Sequence, residues 1–310
     1  MCRILRFFIL LLFISSQSCN WSLVDIQNQD ATEPTYLAAK GALVSTRFKS
    51  LEELKKVIQI EYAIHKKPLV RLTHSNNGEE VISILQTGIS EKDFTHARDG
   101  SFWDRVWLGL NSPYFVINRK DLLRVFTLAR RKDRVFGAGD VAFYDLAETM
   151  VHNISDDDLA FIHSEDLSEK GFINTFNHIT AQAFMTSIFS KKLADFVADT
   201  HERSNIPELV TGKFTEDQLL DLEYGPIDNY VDLINNEWGQ ELGAHLKKKY
   251  NINRETYWTP ELLRNYLNDV QRYYSWVLQI GFKPFRVADE VVIRFSNKIN
   301  SVMEDVSRLR

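Results

Sequence analysis

The spacing of apolar residues in the C-terminal two thirds of the chain constrains the fold most. After Asn118 they recur every three to four positions almost without interruption, which is typical of amphipathic α-helices. The pattern predicts a mainly α protein, an irregular helical bundle over residues 119–310. Its expected helices cover 119–132, 140–152, 155–163, 171–203, 215–222, 227–250, 259–278 and 285–309.

The preceding residues, 45–118, are less regular and predict a small mixed lobe. Ser50 begins a capping-box pattern, and the apolar positions from Leu51 to Tyr62 predict one helix that ends before Pro68. Residues 69–115 allow short strands, although no alternation of apolar and polar residues is long enough to require a sheet.

The N-terminus has the three parts of an export signal. Arg3 and Arg6 precede an apolar run from Phe7 to Ile14, and small residues follow it. That run is too short to span a bilayer as a helix, which needs about 20 residues. Residues 1–18 are therefore predicted to be a removable signal peptide.

The residues around Cys19 resemble the lipobox of bacterial lipoproteins, although Gln17 stands where a small residue is usual. The resemblance implies lipid on Cys19 as membrane anchor, with residues 19–44 as a polar tether. It also implies a location in the cell envelope, at the outer membrane or the periplasmic face. The alternative is an ordinary signal peptide cut nearby, which leaves Cys19 as a plain thiol.

Composition limits the structure and the partners. The 44% apolar content is enough for a packed core, and Cys2 and Cys19 are the only cysteines, so no disulfide staples the body after processing. The net charge is -5, and removal of Arg3 and Arg6 takes it to about -7, which disfavours binding to nucleic acid.

Polar residues concentrate in three stretches of the predicted helices. Asn174, Asn177 and His178 lie in the first, His201-Glu202 form the second, and Asp232-Leu233-Ile234-Asn235-Asn236 lie in the third. In one straight helix His178 and His201 would lie roughly 35 Å apart at 1.5 Å per residue. A turn near Ser190, close to their midpoint, instead predicts a helical hairpin over 171–203 that brings the two histidines together.

The third stretch places Asp232, Asn235, Asn236 and Gly239 at helical spacing on the predicted helix 227–250, which we expect to pack on the hairpin. The glycine would allow another backbone or a substrate to come close. His178, His201, Glu202 and Asp232 are the candidate catalytic groups, and they also form a metal set of the kind that zinc accepts. Asn174, Asn177, Asn235 and Asn236 are the candidate orienting groups.

Residues 174–239 resemble a family of bacterial helical domains found in secreted and polymorphic-toxin-like proteins. Its pattern is (D/N)-x-F-R-H-A, then H-E, then D-L-x-N-N-x-x-G. The residues at its specified positions are Asn174, Phe176, His178, His201, Glu202, Asp232, Leu233, Asn235, Asn236 and Gly239. Asn177 stands where the family has arginine and Ile179 where it has alanine. Loss of the arginine removes a cation suited to an anionic substrate. The resemblance supports the site and implies no particular reaction.

Two hypotheses of function follow from the sequence. The first is a membrane-tethered protein with a hydrolase-like site, either acid/base or dependent on one divalent metal such as zinc. The second is a non-catalytic lipoprotein whose polar cluster is a buried hydrogen-bond network, with a ligand or envelope partner as its target. A catalytic cluster must reach a cleft, whereas a structural network is closed and fully hydrogen-bonded.

Overall fold

A three-stranded antiparallel sheet and a set of helices make up the body, which we describe from a computed structural model over residues 41–64, 67–76 and 78–304. The predicted signal peptide, Cys19 and the tether up to residue 40 lie outside these residues. Within them the chain is mainly helical, as predicted, and belongs to one compact unit. None of the described helices is long and apolar enough to cross a membrane.

The N-terminal part contains the sheet, in the order β1-β2-β3. Its elements are α1 Leu51–Leu54, β1 Ile58–Ala63, β2 Leu69–Asn76, β3 Glu79–Gln86, α2 Glu91–Asp99 and α3 Phe102–Asn111. Buried and exposed residues alternate along β2 and β3, so the sheet has one inner face, which includes Val70, Leu72 and Leu85. Trp238 joins a later helix to that face, because its Nε1 donates to His74 Nδ1 at 2.9 Å.

Helices follow from Pro113 onward. They are α4 Pro113–Leu128, α5 Asp133–Phe136, α6 Phe143–His152, α7 Asp156–Leu159, α8 Asn174–Ile188, α9 Lys191–Asn205, α10 Glu216–Leu220, α11 Pro226–Lys249, α12 Pro260–Leu278 and α13 Glu290–Glu304. A short π-helical turn, Glu169–Ile173, leads into α8, and 3₁₀ turns cover Ser45–Arg47 and Pro207–Val210. α4 crosses residue 118 without a break.

The predicted helical hairpin and third helix are confirmed. α8 ends at Ile188, and the Ser190 side chain caps α9 by accepting from Leu193 N at 3.2 Å. Helix α11 packs along α8 and lies at the centre of the core, with Tyr230, Ile234 and Trp238 at most 1% exposed.

The single helix predicted from Ser50 to Pro68 is wrong. Ser50 does cap a helix, since its side chain accepts from Glu53 N, but α1 ends at Leu54. The residues that follow form β1, in which Ile58 pairs with His74 and Tyr62 with Val70. The apolar residues from Ile58 to Tyr62 fit a period of two as well as a helical period, and pairing with β2 decides between them.

The predicted tether extended too far into the folded body. Residues 43 and 44 are buried, and the side chain of Asn235 binds both backbone groups of Leu43, accepting from its N at 2.9 Å and donating to its O at 2.8 Å. The polar composition before residue 41 concealed this short buried stretch, because two apolar residues give no periodicity.

Candidate functional site

Two glycines set the distance between α8 and α11. A Cβ on Gly239 would lie 2.7 Å from Ile179 O, and one on Gly243 would lie 2.5 Å from Ala183 O. Both are shorter than ordinary contacts, so only glycine fits at this spacing. The prediction that Gly239 lets another backbone approach is confirmed. The two helices therefore lie close together where Gly239 meets Ile179, and the neighbouring side chains of α8 and α11 face each other across a short gap.

Three of the four predicted metal ligands converge where α8, α9 and α11 meet. His178, Glu202 and Asp232 each offer one potential ligand atom, and these atoms lie within 4.8 Å of one another. His178 Nε2 lies 3.4 Å from Asp232 Oδ2, and His178 Nδ1 lies 4.0 Å from Glu202 Oε1. Ligand atoms about 2.0–2.2 Å from a tetrahedral zinc ion are separated by roughly 3.4 Å. The separation between His178 Nε2 and Asp232 Oδ2 matches this value, while Glu202 lies farther out, within the 4.8 Å spread of the three groups.

Two carboxamides, those of Asn174 and Asn236, form hydrogen bonds to one polar atom of each of these three side chains. Asn236 Nδ2 donates to Glu202 Oε1 at 3.3 Å, so its Oδ1 faces His178 and accepts from Nδ1 at 3.0 Å. Asn174 Nδ2 donates to Asp232 Oδ1 at 2.9 Å. The predicted orienting role of Asn174 and Asn236 thus has a geometric basis. The atoms left for a ligand are His178 Nε2, Asp232 Oδ2 and Glu202 Oε2.

The proton on His178 can be placed from its neighbours. Because Nδ1 donates to Asn236, the neutral ring carries its lone pair on Nε2, which faces Asp232. Burial, with a smaller effect from the charge of His201, lowers the pKa of His178 to about 4, so the ring is neutral at pH 7. A lone pair and a carboxylate oxygen 3.4 Å apart repel each other unless a proton or a cation lies between them.

The carboxylates are also held away from water. Burial raises the pKa of Glu202 to about 7, and burial together with the nearby Asp228 and Glu202 raises the pKa of Asp232 well above its usual range. Glu202 is fully buried, and its Oε2 has no hydrogen-bond partner among the described residues. An unpartnered buried carboxylate oxygen costs free energy that a proton, a water molecule or a cation removes.

His201 lies apart from the three converging groups. Its ring centroid is 6.2 Å from that of His178, and its Nδ1 is 3.5 Å from Glu91 Oε2 at the start of α2. The hydrogen bond with Glu91 raises the pKa of His201 and lowers that of Glu91. Consecutive helical residues point about 100° apart, so Glu202 faces inward while His201 is half-exposed beside it.

The other two predicted orienting residues lie outside this contact set. Asn235 binds the backbone of Leu43, with Thr175 Oγ1 donating to the same carbonyl at 3.0 Å. Asn177 is half-buried on α8, and within the described part of the chain no hydrogen bond joins it to His178, Glu202 or Asp232.

Two further charged residues beside the site were missed by the sequence analysis. Asp228 lies one turn before Asp232 on α11; it accepts from Lys170 Nζ at 2.8 Å and from Asn174 Nδ2 at 3.4 Å. Extending the polar stripe of α11 by one turn would have found Asp228. Lys170 lies on the π-helical turn before α8, and its position has no sequence pattern to reveal it.

Access to the site is narrow. The His178 and Asp232 side chains are 13% and 8% exposed, and that of Glu202 is enclosed. Two surface cavities, of about 540 and 380 Å³, are lined by other residues. A single ion or water molecule is therefore the size of ligand that the described geometry admits most readily. Comparison of the chain with protein-family models, curated proteins and solved structures found no match.

Proposed function

We propose that this chain binds one divalent cation, zinc before others, through His178, Glu202 and Asp232. The observation that carries the proposal is that one potential ligand atom from each of these side chains lies within 4.8 Å of the others, and that Asn174 and Asn236 hold the three side chains through hydrogen bonds. Neutral imidazole nitrogen and carboxylate oxygen are ordinary zinc ligands. A zinc-binding histidine is usually oriented by a hydrogen bond from its other ring nitrogen, which also fixes the tautomer.

Three protein ligands leave a fourth coordination position, which is the arrangement of catalytic zinc sites. A zinc ion held by these residues would supply Lewis-acid activation of water, which is the chemistry of metal-dependent hydrolysis. In this chain Asn174 and Asn236 hold the ligands, and His201, half-exposed and paired with Glu91, is a further acid/base group beside them. We propose a hydrolase on this basis, with a small substrate because access is narrow.

We also propose that the protein is located in the cell envelope. The predicted signal peptide and lipid on Cys19 would tether the body to a membrane surface, at the outer membrane or the periplasmic face. Mass spectrometry of the N-terminal peptide from the native host tests it: diacylglycerol on Cys19 is expected, and an unmodified Cys19 in the processed chain contradicts it.

Metal content of the full chain by elemental analysis tests the cation site. About one equivalent of zinc is expected after incubation with zinc and desalting, and Glu202→Gln and His178→Ala should each lose it. His163→Ala is the matched control, because His163 is exposed and lies outside the site; it should keep the metal. Absence of metal from the parent chain, or its retention in both site variants, contradicts the proposal.

A structural hydrogen-bond network is the second candidate, favoured by the complete burial of Glu202. The two candidates differ in what Glu202→Gln does to stability. In a network the neutral amide removes a desolvated charge and stabilises the fold whether or not zinc is present. In a cation site, zinc stabilises the parent chain and leaves Glu202→Gln unchanged.

A further inference from the structure

Large apolar side chains are exposed together on α3 and the first turns of α4. Trp103 is 73% exposed, Trp107 53% and Ile117 80%. Phe102, Leu110 and Val116 are exposed as well. We call these six residues the α3–α4 patch. The two helices are in contact, and Val116 lies beside Gly109 of α3, so the exposed apolar residues of α4 adjoin α3.

The patch is a helix face of its own, separate from the core. Trp103, Trp107 and Leu110 stand at i, i+4 and i+7 and share one side of α3. The opposite side carries Leu108, which packs with Ile89 and Ala97 in a small cluster distinct from the main core. α3 therefore has an inner apolar face already in use and an outer one that nothing in the described chain covers.

The exposed area is large for a monomer. At roughly 200 Å² per aromatic side chain, Phe102, Trp103 and Trp107 alone expose about 400 Å² at exposed fractions of 67%, 73% and 53%. The largest apolar patch on a typical soluble monomer is about 300–600 Å² and is often functional. Leu110, Val116 and Ile117 take this patch to the upper end of that range or beyond.

The charges at the rim are positive. Arg119 and Lys120 are exposed, lie one turn from Val116 and Ile117 on α4, and pair with no described residue. Two acidic groups lie at the start of α3: Asp99 is paired with Arg98, and Asp104, which caps the helix through Ser101, keeps a negative charge that the neighbouring Arg105 balances. The free charge beside the patch thus complements an anionic surface.

We propose that the α3–α4 patch docks the body onto a lipid bilayer, with Trp103 and Trp107 at the headgroup level and Arg119 and Lys120 against anionic lipids. Tryptophan and basic residues beside an apolar helix face are the composition of interfacial membrane contacts. The inference is independent of the cation site and of lipid on Cys19.

Vesicle co-sedimentation tests the docking surface, using the full chain with Cys19→Ser so that lipidation plays no part. The patch variant is Trp103→Gln/Trp107→Gln/Leu110→Gln. The control is Phe161→Gln/Leu220→Gln/Tyr257→Gln, which removes equally exposed apolar side chains elsewhere. Since all three chains keep the apolar run 7–14, its contribution to binding is common to them. Circular dichroism verifies that each variant is folded.

On vesicles with 30% anionic phosphatidylglycerol we expect the patch variant to bind at least tenfold more weakly than the parent, and the control within twofold of it. Arg119→Gln and Lys120→Gln should each weaken binding to these vesicles about fivefold, with no such effect on neutral vesicles. Equal binding of patch variant and parent overturns the proposal. So does a patch variant that loses self-association in sedimentation velocity while its vesicle binding is unchanged, because the face is then an interface between two copies.

Discussion

Gly239→Ala tests the close approach of α8 and α11, on which the site depends. The added Cβ would lie 2.7 Å from Ile179 O, 2.8 Å from Gln182 Cβ and 2.9 Å from Ile179 Cα. Carbon contacts are normally about 3.5–4.0 Å, and two of the three atoms are backbone, which cannot turn aside. α11 must therefore retreat from α8 by several tenths of an ångström or more.

Two opposing effects set the magnitude. Overpacking of a filled interface costs about 1–3 kcal/mol, while alanine gains about 1 kcal/mol over glycine in a helix interior. We expect a net loss of up to about 2 kcal/mol in the free energy of unfolding, or a fall in Tm of up to roughly 8 °C. Because His178 lies beside Ile179, the same retreat widens the 3.4 Å gap to Asp232, and zinc affinity should fall at least tenfold.

Gly109→Ala is the matched control for urea denaturation. Gly109 lies in the last turn of α3, and its Cβ would meet only Val116 Cγ2 at 3.5 Å, an ordinary contact. This variant should gain about 0.5–1 kcal/mol from helix propensity. If Gly239→Ala is as stable as Gly109→Ala and binds zinc like the parent, the tight crossing is not what positions the site.

The remaining predictions concern buried polar groups. Asn235→Ala leaves the Leu43 N–H without a partner, while Thr175 still donates to the Leu43 carbonyl. Urea denaturation should therefore show a loss of about 2 kcal/mol in the free energy of unfolding, and the Leu43 amide hydrogen should exchange faster. An unchanged exchange rate would contradict the role of Asn235 in holding Leu43. Burial raises the pKa of Glu237 to about 8 from 4.5, so its contribution to stability is full below pH 4.5 and is lost as the pH rises through 8. Glu237→Gln should therefore flatten the pH dependence of the unfolding free energy over this range and add about 1–2 kcal/mol above pH 8; an unaltered slope contradicts this. Lys298→Met removes the buried cation that donates to Asp140 at 2.7 Å, and the free energy of unfolding should fall by about 3–5 kcal/mol. The double variant Lys298→Met/Asp140→Asn should recover part of this loss. No recovery would mean that the unpaired charge of Asp140 does not cause the loss.

Long periodic helices and the hairpin were predictable from sequence. The turn follows from the position of Ser190 midway between two polar stretches, and its hydroxyl does cap α9. The length of α11 and the role of Gly239 follow from spacing alone. The start of α4 at Pro113 was not predicted, because the sequence around it is rich in aromatic residues. Ser112 as a cap and Pro113 as first helical residue were the signal for it.

The direction in which each polar side chain points was not predictable. Adjacent residues such as His201 and Glu202, or Asn235 and Asn236, cannot both face one site, since they project about 100° apart. Which member of each pair faces His178 depends on how α9 and α11 are rotated against α8, and that rotation is set by packing. Glu91, more than 100 positions before His201, reaches it only through the tertiary fold.

The central claim is a cation between His178, Glu202 and Asp232, and anomalous diffraction at the zinc edge from crystals of the zinc-treated chain tests it most directly. We predict one anomalous peak about 2.0–2.2 Å from His178 Nε2 and from a carboxylate oxygen of Glu202 and of Asp232. A map without a peak there, with an ordered water molecule hydrogen-bonded to Glu202 Oε2 instead, would contradict the cation site and identify the cluster as a structural network.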